Sequence, residues 1–80
     1  MEFKVGDRVR FKTWEEMKAE FGLKGSGNIA CKFSFLPEMD ELIDRDRDYI
    51  ISDIRGCDEE IYFEDLSDNY SYSEDMIELV

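Results

Sequence analysis

The run Asp44-Arg45-Asp46-Arg47-Asp48 is the stretch whose residue types and spacing come nearest to an ion site: its acids fall on positions 1, 3 and 5 of a calcium-binding loop, with Ile51 on the apolar eighth. The pattern then fails. Tyr49 stands at the sixth position, where the sharp bend calls for glycine, and Arg55 at the twelfth, where a bidentate glutamate closes the shell. Arg45 and Arg47 also weaken the local field for a cation, so the segment reads as a solvated turn of alternating charge. No cofactor or metal is expected.

Catalytic constellations are no better supplied. The chain has no histidine, which removes the commonest zinc ligand and the usual base for a serine or cysteine nucleophile. Cys31 and Cys57 lie far outside any Cys-x-x-Cys spacing and read as free thiols. Ser52, Ser71 and Ser73 have no base to activate them. Carboxylates are so abundant that a pair at glycosidase separation arises by chance, and a chain of 80 residues offers little concavity in which to drive two pKa values apart. The loop Lys24-Gly25-Ser26-Gly27-Asn28 lacks the Gly-Lys-Ser/Thr ending of a phosphate loop. Asn69-Tyr70-Ser71 matches a glycosylation sequon that has meaning only on a secretory route. The expectation is a protein that is not an enzyme.

Charge is the larger signal. From Glu38 to Val80 sixteen carboxylates face three arginines, a balance of −13, whereas Met1 to Pro37 carries seven basic and five acidic residues, a balance of +2. Far less charge keeps a small domain soluble. The excess centres on Asp44, Asp46, Asp48, Asp58, Glu59, Glu60, Glu64, Asp65 and Asp68. Carboxylates fixed along one surface imitate a phosphate track and compete for the lysine- and arginine-lined clefts of nucleic-acid enzymes. The same repulsion argues against direct binding of nucleic acid by Arg8, Arg10, Lys12 and Lys24.

The apolar fraction is 42%, with six Phe, four Tyr and one Trp, too aromatic for a disordered acidic chain. Eighty residues form one domain, 1–80, with room for one small core. No apolar run approaches the ~18 residues of a membrane span and Met1-Glu2-Phe3-Lys4 begins no signal peptide, so the expected setting is soluble and cytoplasmic, away from membranes.

Phe3, Val5, Val9 and Phe11 alternate with basic residues around a bend at Gly6-Asp7 and predict an opening strand. Thr13-Trp14-Glu15-Glu16 is a capping box, followed by a helix with Trp14, Met17 and Phe21 on one face and a stop at Gly22-Leu23. Ile29, Cys31, Phe33 and Phe35 alternate as a short strand or extended segment. Pro37 opens a second helix to about Ile43, with Met39, Leu42 and Ile43 inward. Tyr49–Ile54 and Ile61–Phe63 read as a hairpin turning at Arg55-Gly56-Cys57-Asp58, Ser73–Met76 as a capped turn, and Ile77–Val80 as a closing strand.

The opening Phe3-Lys4-Val5-Gly6-Asp7-Arg8-Val9-Arg10 and the closing Tyr70-Ser71-Tyr72-Ser73-Glu74-Asp75-Met76-Ile77-Glu78-Leu79 resemble the ends of small SH3-like barrels, and the close is similar to that of short phage and prophage proteins, some related to KOW-type barrels. The resemblance implies a mainly β, α+β fold: an SH3-like barrel of about five strands whose last strand follows a helical turn and pairs with the first, with a two-helix insertion at about 13–43. It carries over no binding residues. The functional expectation joins this fold to the charge: a phage-encoded inhibitor, of anti-CRISPR or other anti-defence type, that occupies a basic nucleic-acid-binding surface on a host protein. The alternative is a structural or adaptor domain that binds a peptide or self-associates through Trp14, Phe21, Tyr62, Tyr70 and Tyr72. The sequence leaves the oligomeric state open.

Overall fold

Arg8 and Arg10 alternate with Val9 and Phe11, and the strand they form, β1 (Arg8–Phe11), exposes the first pair and buries the second. The computed structural model describes residues 3–66 and 69–80. Ahead of β1 the chain bends where Gly6 takes φ 94°. The Lys4 amide donates to Asp7 Oδ2 at 2.9 Å and the Asp7 amide to the Lys4 carbonyl at 3.0 Å. Phe3 is tucked in, and Val5 is exposed.

The capping box forms as read: Thr13 Oγ1 accepts from the Glu16 amide at 3.1 Å and Glu16 Oε1 from the Thr13 amide at 3.0 Å. These bonds favour the charged carboxylate, so the Thr13 backbone amide first and its hydroxyl second hold Glu16 below its ordinary pKa. Helix α1 (Trp14–Phe21) follows and ends at Gly22. Met17 is fully buried, while Trp14 and Phe21 are half-buried against the core.

Alternation misleads between Ile29 and Phe35. The segment does not run out as a strand. Ile29 exchanges both backbone bonds with Phe35, at 3.0 and 3.1 Å, across a reversal in which Ser34 adopts φ 57°. Ile29, Cys31 and Phe35 are buried because this loop closes on itself beneath α1, whereas Leu23 stays exposed. Helix α2 (Pro37–Leu42) buries Met39 and delivers Ile43 to the core, but Leu42 faces outward.

Strands β2 (Tyr49–Arg55) and β3 (Glu60–Phe63) make the expected hairpin, with an irregularity between Ile51 and Asp53 that leaves Ser52 as a bulge. A 3₁₀ turn (Glu74–Met76) leads into β4 (Ile77–Leu79). The sheet is antiparallel throughout, in the order β3-β2-β1-β4. The architecture is therefore small α+β, mainly strands. Among the described residues the sheet has four strands where about five were expected, and it does not close, since the Ile29–Phe35 segment pairs with itself instead of joining a sheet edge. One bridge, Ile61 to Tyr72, reaches from β3 toward the last segment.

Four rings from four stretches of the chain meet at the centre. Phe11 lies 5.4 Å from Tyr49, 5.1 Å from Phe63 and 5.5 Å from Tyr72 between centroids, and Tyr72 also sits 5.6 Å from Phe63. Most of these pairs are edge-on, the arrangement aromatic quadrupoles favour. Tyr49 keeps its hydroxyl satisfied by accepting from the Asp44 amide at 3.0 Å. The Tyr72 hydroxyl is buried with no partner among the described residues, and burial pushes its pKa up to about 12.

Truncating Phe11→Ala should cost about 3–5 kcal/mol, a large share of the ~5–15 kcal/mol that holds a small domain folded. Tyr72→Phe should be neutral or stabilising, because it deletes an unsatisfied buried hydroxyl that costs on the order of 1–3 kcal/mol. Urea unfolding of the two variants checks both; a Tyr72→Phe protein less stable than the parent by as much as Phe11→Ala would show that the hydroxyl is in use.

Candidate functional site

The nine acids singled out from the sequence do not form one continuous array. Asp44, Asp46 and Asp48 lie in the turn between α2 and β2, and Glu64 and Asp65 follow β3, so the antiparallel hairpin brings these five to the same end. Asp58, Glu59 and Glu60 sit at the opposite end, at the hairpin tip. The two groups are separated by the length of β2, about 20 Å at ~3.3 Å per residue. Asp68 lies outside the described residues.

At the first end the arginines that interrupt the calcium-like spacing are ties between elements. Arg45 Nη2 donates to the Lys12 carbonyl at 2.8 Å and to Asp40 Oδ1 at 2.7 Å, pinning the turn to the end of β1 and to α2. Arg47 lies over the Tyr49 ring at 5.0 Å and pairs with Asp65 Oδ2 at 2.6 Å, fastening the same turn to the end of β3. Within it the Asp46 amide donates to Asp44 Oδ1 at 2.9 Å, an Asx turn that spends this carboxylate oxygen on the backbone. Among the described residues no group of three acids or thiols is gathered for a metal ion.

The hairpin's outer face carries a second network that sequence reading missed. The bulge at Ser52 changes the side to which later β2 residues point, so that Ile54 opposes Ile61 inward while Asp53, Arg55, Glu60 and Tyr62 line the outside. Arg55 Nε donates to Asp53 Oδ2 at 2.5 Å and its guanidinium covers the Tyr62 ring at 4.4 Å. The Tyr62 hydroxyl donates to Glu60 Oε1 at 3.0 Å. Its hydrogen bond to Glu60 raises the Tyr62 pKa, and the Arg55 hydrogen bond, aided by the Ile54 amide, lowers that of Asp53. The cross-strand placement depends on the bulge, which no residue type in Ile51-Ser52-Asp53 announces.

Elsewhere Arg8, Arg10 and Lys12 of the first half are drawn in among acids. Arg10 pairs with Glu78 and lies 3.9 Å from Glu16. Arg8 lies 3.9 Å from Asp48, and Lys12 pairs with Glu20 at 3.1 Å. Every arginine of the chain thus has a carboxylate partner. Glu64 and Asp58 are exposed and make no ion pair among the described residues. Of the described acids at the hairpin ends, Asp48 and Asp65 are ion-paired, and Asp44, Asp46, Asp58, Glu59, Glu60 and Glu64 make no ion pair among the described residues.

The thiols are chemically distinct. Cys31 is buried, and loss of solvent pushes its pKa up to about 12, leaving it protonated and inert. Cys57 is exposed at the hairpin tip. The aromatic side chains considered for an adaptor surface also divide: Tyr72 is core and Trp14 leans on Phe35 at 6.1 Å, while Phe21, Tyr62 and Tyr70 are half-buried. No helix among the described residues is long and apolar enough to cross a membrane.

Because the folded state lowers the Asp53 pKa, its contribution to stability is present above the carboxyl's unfolded value and is lost as pH falls through the folded one. Asp53→Asn should therefore lower the melting temperature near neutral pH, by a margin that shrinks as pH falls through the carboxyl's folded value. A gap between the two proteins that persists undiminished in acid would mean that Asp53 acts through packing and not through its charge. In comparisons with known proteins, no family profile, curated protein or solved structure matches this chain.

Proposed function

We propose that the protein is a non-enzymatic, acidic protein-binding module that occupies a basic nucleic-acid-binding surface on another protein, as a phage-type inhibitor of the anti-CRISPR or wider anti-defence kind. The observation that carries this reading is the disposal of charge: each arginine lies within 3.9 Å of a carboxylate, while Asp46, Asp58, Glu59 and Glu64 at the hairpin ends make no ion pair among the described residues, in a chain of net charge −11. The two acidic ends of the hairpin lie about 20 Å apart, which corresponds to phosphates roughly six steps apart along one strand at ~3.4 Å per step. A rigid sheet holds that separation, and preorganised charge competes better than charge on a flexible tail because less ordering is needed on binding.

An SH3-like scaffold is part of the same proposal. The pairing of β1 with β4 and the 3₁₀ turn directly ahead of β4 support it. The helices α1 and α2 then stand as an insertion between the first strand and the central hairpin.

Binding to a DNA-binding nuclease with a basic cleft should fall by about tenfold or more between 50 and 200 mM salt, as expected where several charges are neutralised, and duplex DNA should compete. Reversing Asp44 and Asp46 to Lys at one end, and Glu59 and Glu60 to Lys at the other, should each weaken inhibition, and the fourfold reversal should abolish it. Inhibition by the fourfold variant equal to that of the parent would falsify the proposal.

A further inference from the structure

The edge of the sheet formed by β4 is set up differently from the acidic hairpin. The Lys12 amide donates to the Met76 carbonyl at 2.9 Å and the Val80 amide to the Arg8 carbonyl at 3.1 Å, and Glu78 stands opposite Arg10. Antiparallel alternation therefore turns the even-numbered peptide groups toward β1 and those of Ile77 and Leu79 away from it. The Ile77 amide is taken by the Glu74 carbonyl. The Ile77 carbonyl and both peptide groups of Leu79 face outward, with no strand beside them among the described residues.

Alongside this edge runs an open groove of about 820 Å³, between β4 and the last turn of α1. Phe3, Phe21 and Leu79 give it apolar footing, and Leu79 is 58% exposed. Its charged lining is mainly acidic: Glu20 is paired with Lys12 and Glu78 with Arg10, while Glu74 and Asp75 make no ion pair among the described residues and leave the groove net negative, Asp75 accepting only from the Lys32 amide and the Ser73 hydroxyl. Sheet edges are commonly protected by lysine, proline or a covering loop. The described edge residues Ile77, Glu78 and Leu79 include neither lysine nor proline. A second copy of the chain is a poor occupant, because it would set these carboxylates against their own image in a molecule of net charge −11.

We propose that the outer edge of β4 and the groove beside it bind an extended, lysine- or arginine-bearing peptide segment of a partner protein, which adds to the sheet as a fifth strand. Main-chain bonds to Ile77 and Leu79 supply the register, side chains of one parity rest on Phe21 and Leu79, and cationic side chains of the other parity meet the carboxylates. This surface lies on the far side of β1 from the acidic hairpin and does not depend on the function proposed for it.

An alternating Lys-Val hexapeptide with blocked ends tests the idea by amide NMR. At saturation the Leu79 amide should exchange with solvent about tenfold more slowly, with shift changes confined to the groove, at Phe3, Glu20, Phe21 and Glu74 to Val80, and an alternating Glu-Val peptide should bind at least about tenfold more weakly. Leu79→Pro removes an edge donor that β1 does not use and should weaken binding by about tenfold, with the Val80 amide still protected. Should that variant lose the β1–β4 bonds, Glu74→Lys serves in its place and should weaken binding by a comparable factor. Affinity unaltered in the variant that keeps its fold, equal binding of the glutamate peptide, shifts centred on Asp44 to Asp48 or Asp58 to Glu60, or protection of Leu79 that grows with protein concentration in the absence of peptide would each overturn the proposal.

Discussion

The meeting of Phe11, Tyr49, Phe63 and Tyr72 is the contact on which the rest of the molecule depends. Each ring comes from a different part of the chain, and three belong to successive neighbours in the sheet. Burying them fixes β1, β2 and β3 side by side with one face inward and draws the approach to β4 against that face, so the pairing of first and last strands follows from packing as much as from backbone bonds. A domain of this size has only one core, and both helices serve it: α1 through Met17 and α2 through Met39. Neither helix is long enough to stand alone in water.

Around that core the charges are distributed by function within the fold. Arginines bridge elements: Arg45 joins the turn after α2 to β1 and α2, Arg47 joins the same turn to β3, and Arg10 lies between α1 and β4. Exposed pairs of this kind contribute little individually, about 0–1 kcal/mol, so their larger effect is on where positive charge sits. At the first hairpin end Arg8 and Arg47 offset Asp48 and Asp65, and at the tip no arginine pairs with Asp58, Glu59 or Glu60. Solubility alone explains a polar exterior; it does not explain why arginine, the planar side chain suited to bidentate partners, is so thoroughly occupied.

Much of this was legible in the sequence. The capping box at Thr13-Glu16, the start of α2 at Pro37, the hairpin around Gly56 and the turn before β4 all stand where local chemistry put them. These are features in which a few neighbouring residues decide the outcome. The errors share the opposite property. Ile29 to Phe35 alternates like a strand, yet its burial comes from a loop closed on itself, and period two cannot distinguish the two cases. Leu42 reads as inward from periodicity near an element's end, where the core no longer reaches. The acidic residues were identifiable by type, but their division into two groups depends on antiparallel register, a tertiary property.

The bulge at Ser52 has a further consequence. It works as a phase change in the strand: ahead of it the odd-numbered residues Tyr49 and Ile51 look inward, and after it the even-numbered Ile54 does. Pairing Ser52 as an ordinary ladder residue, without the bulge, would carry the earlier parity onward and oblige either the aspartate and arginine beyond it to enter a hydrocarbon interior or the two strands to slide past one another. The hairpin thus has a built-in defence against slippage, because its distal half cannot shift by one place without burying a charge.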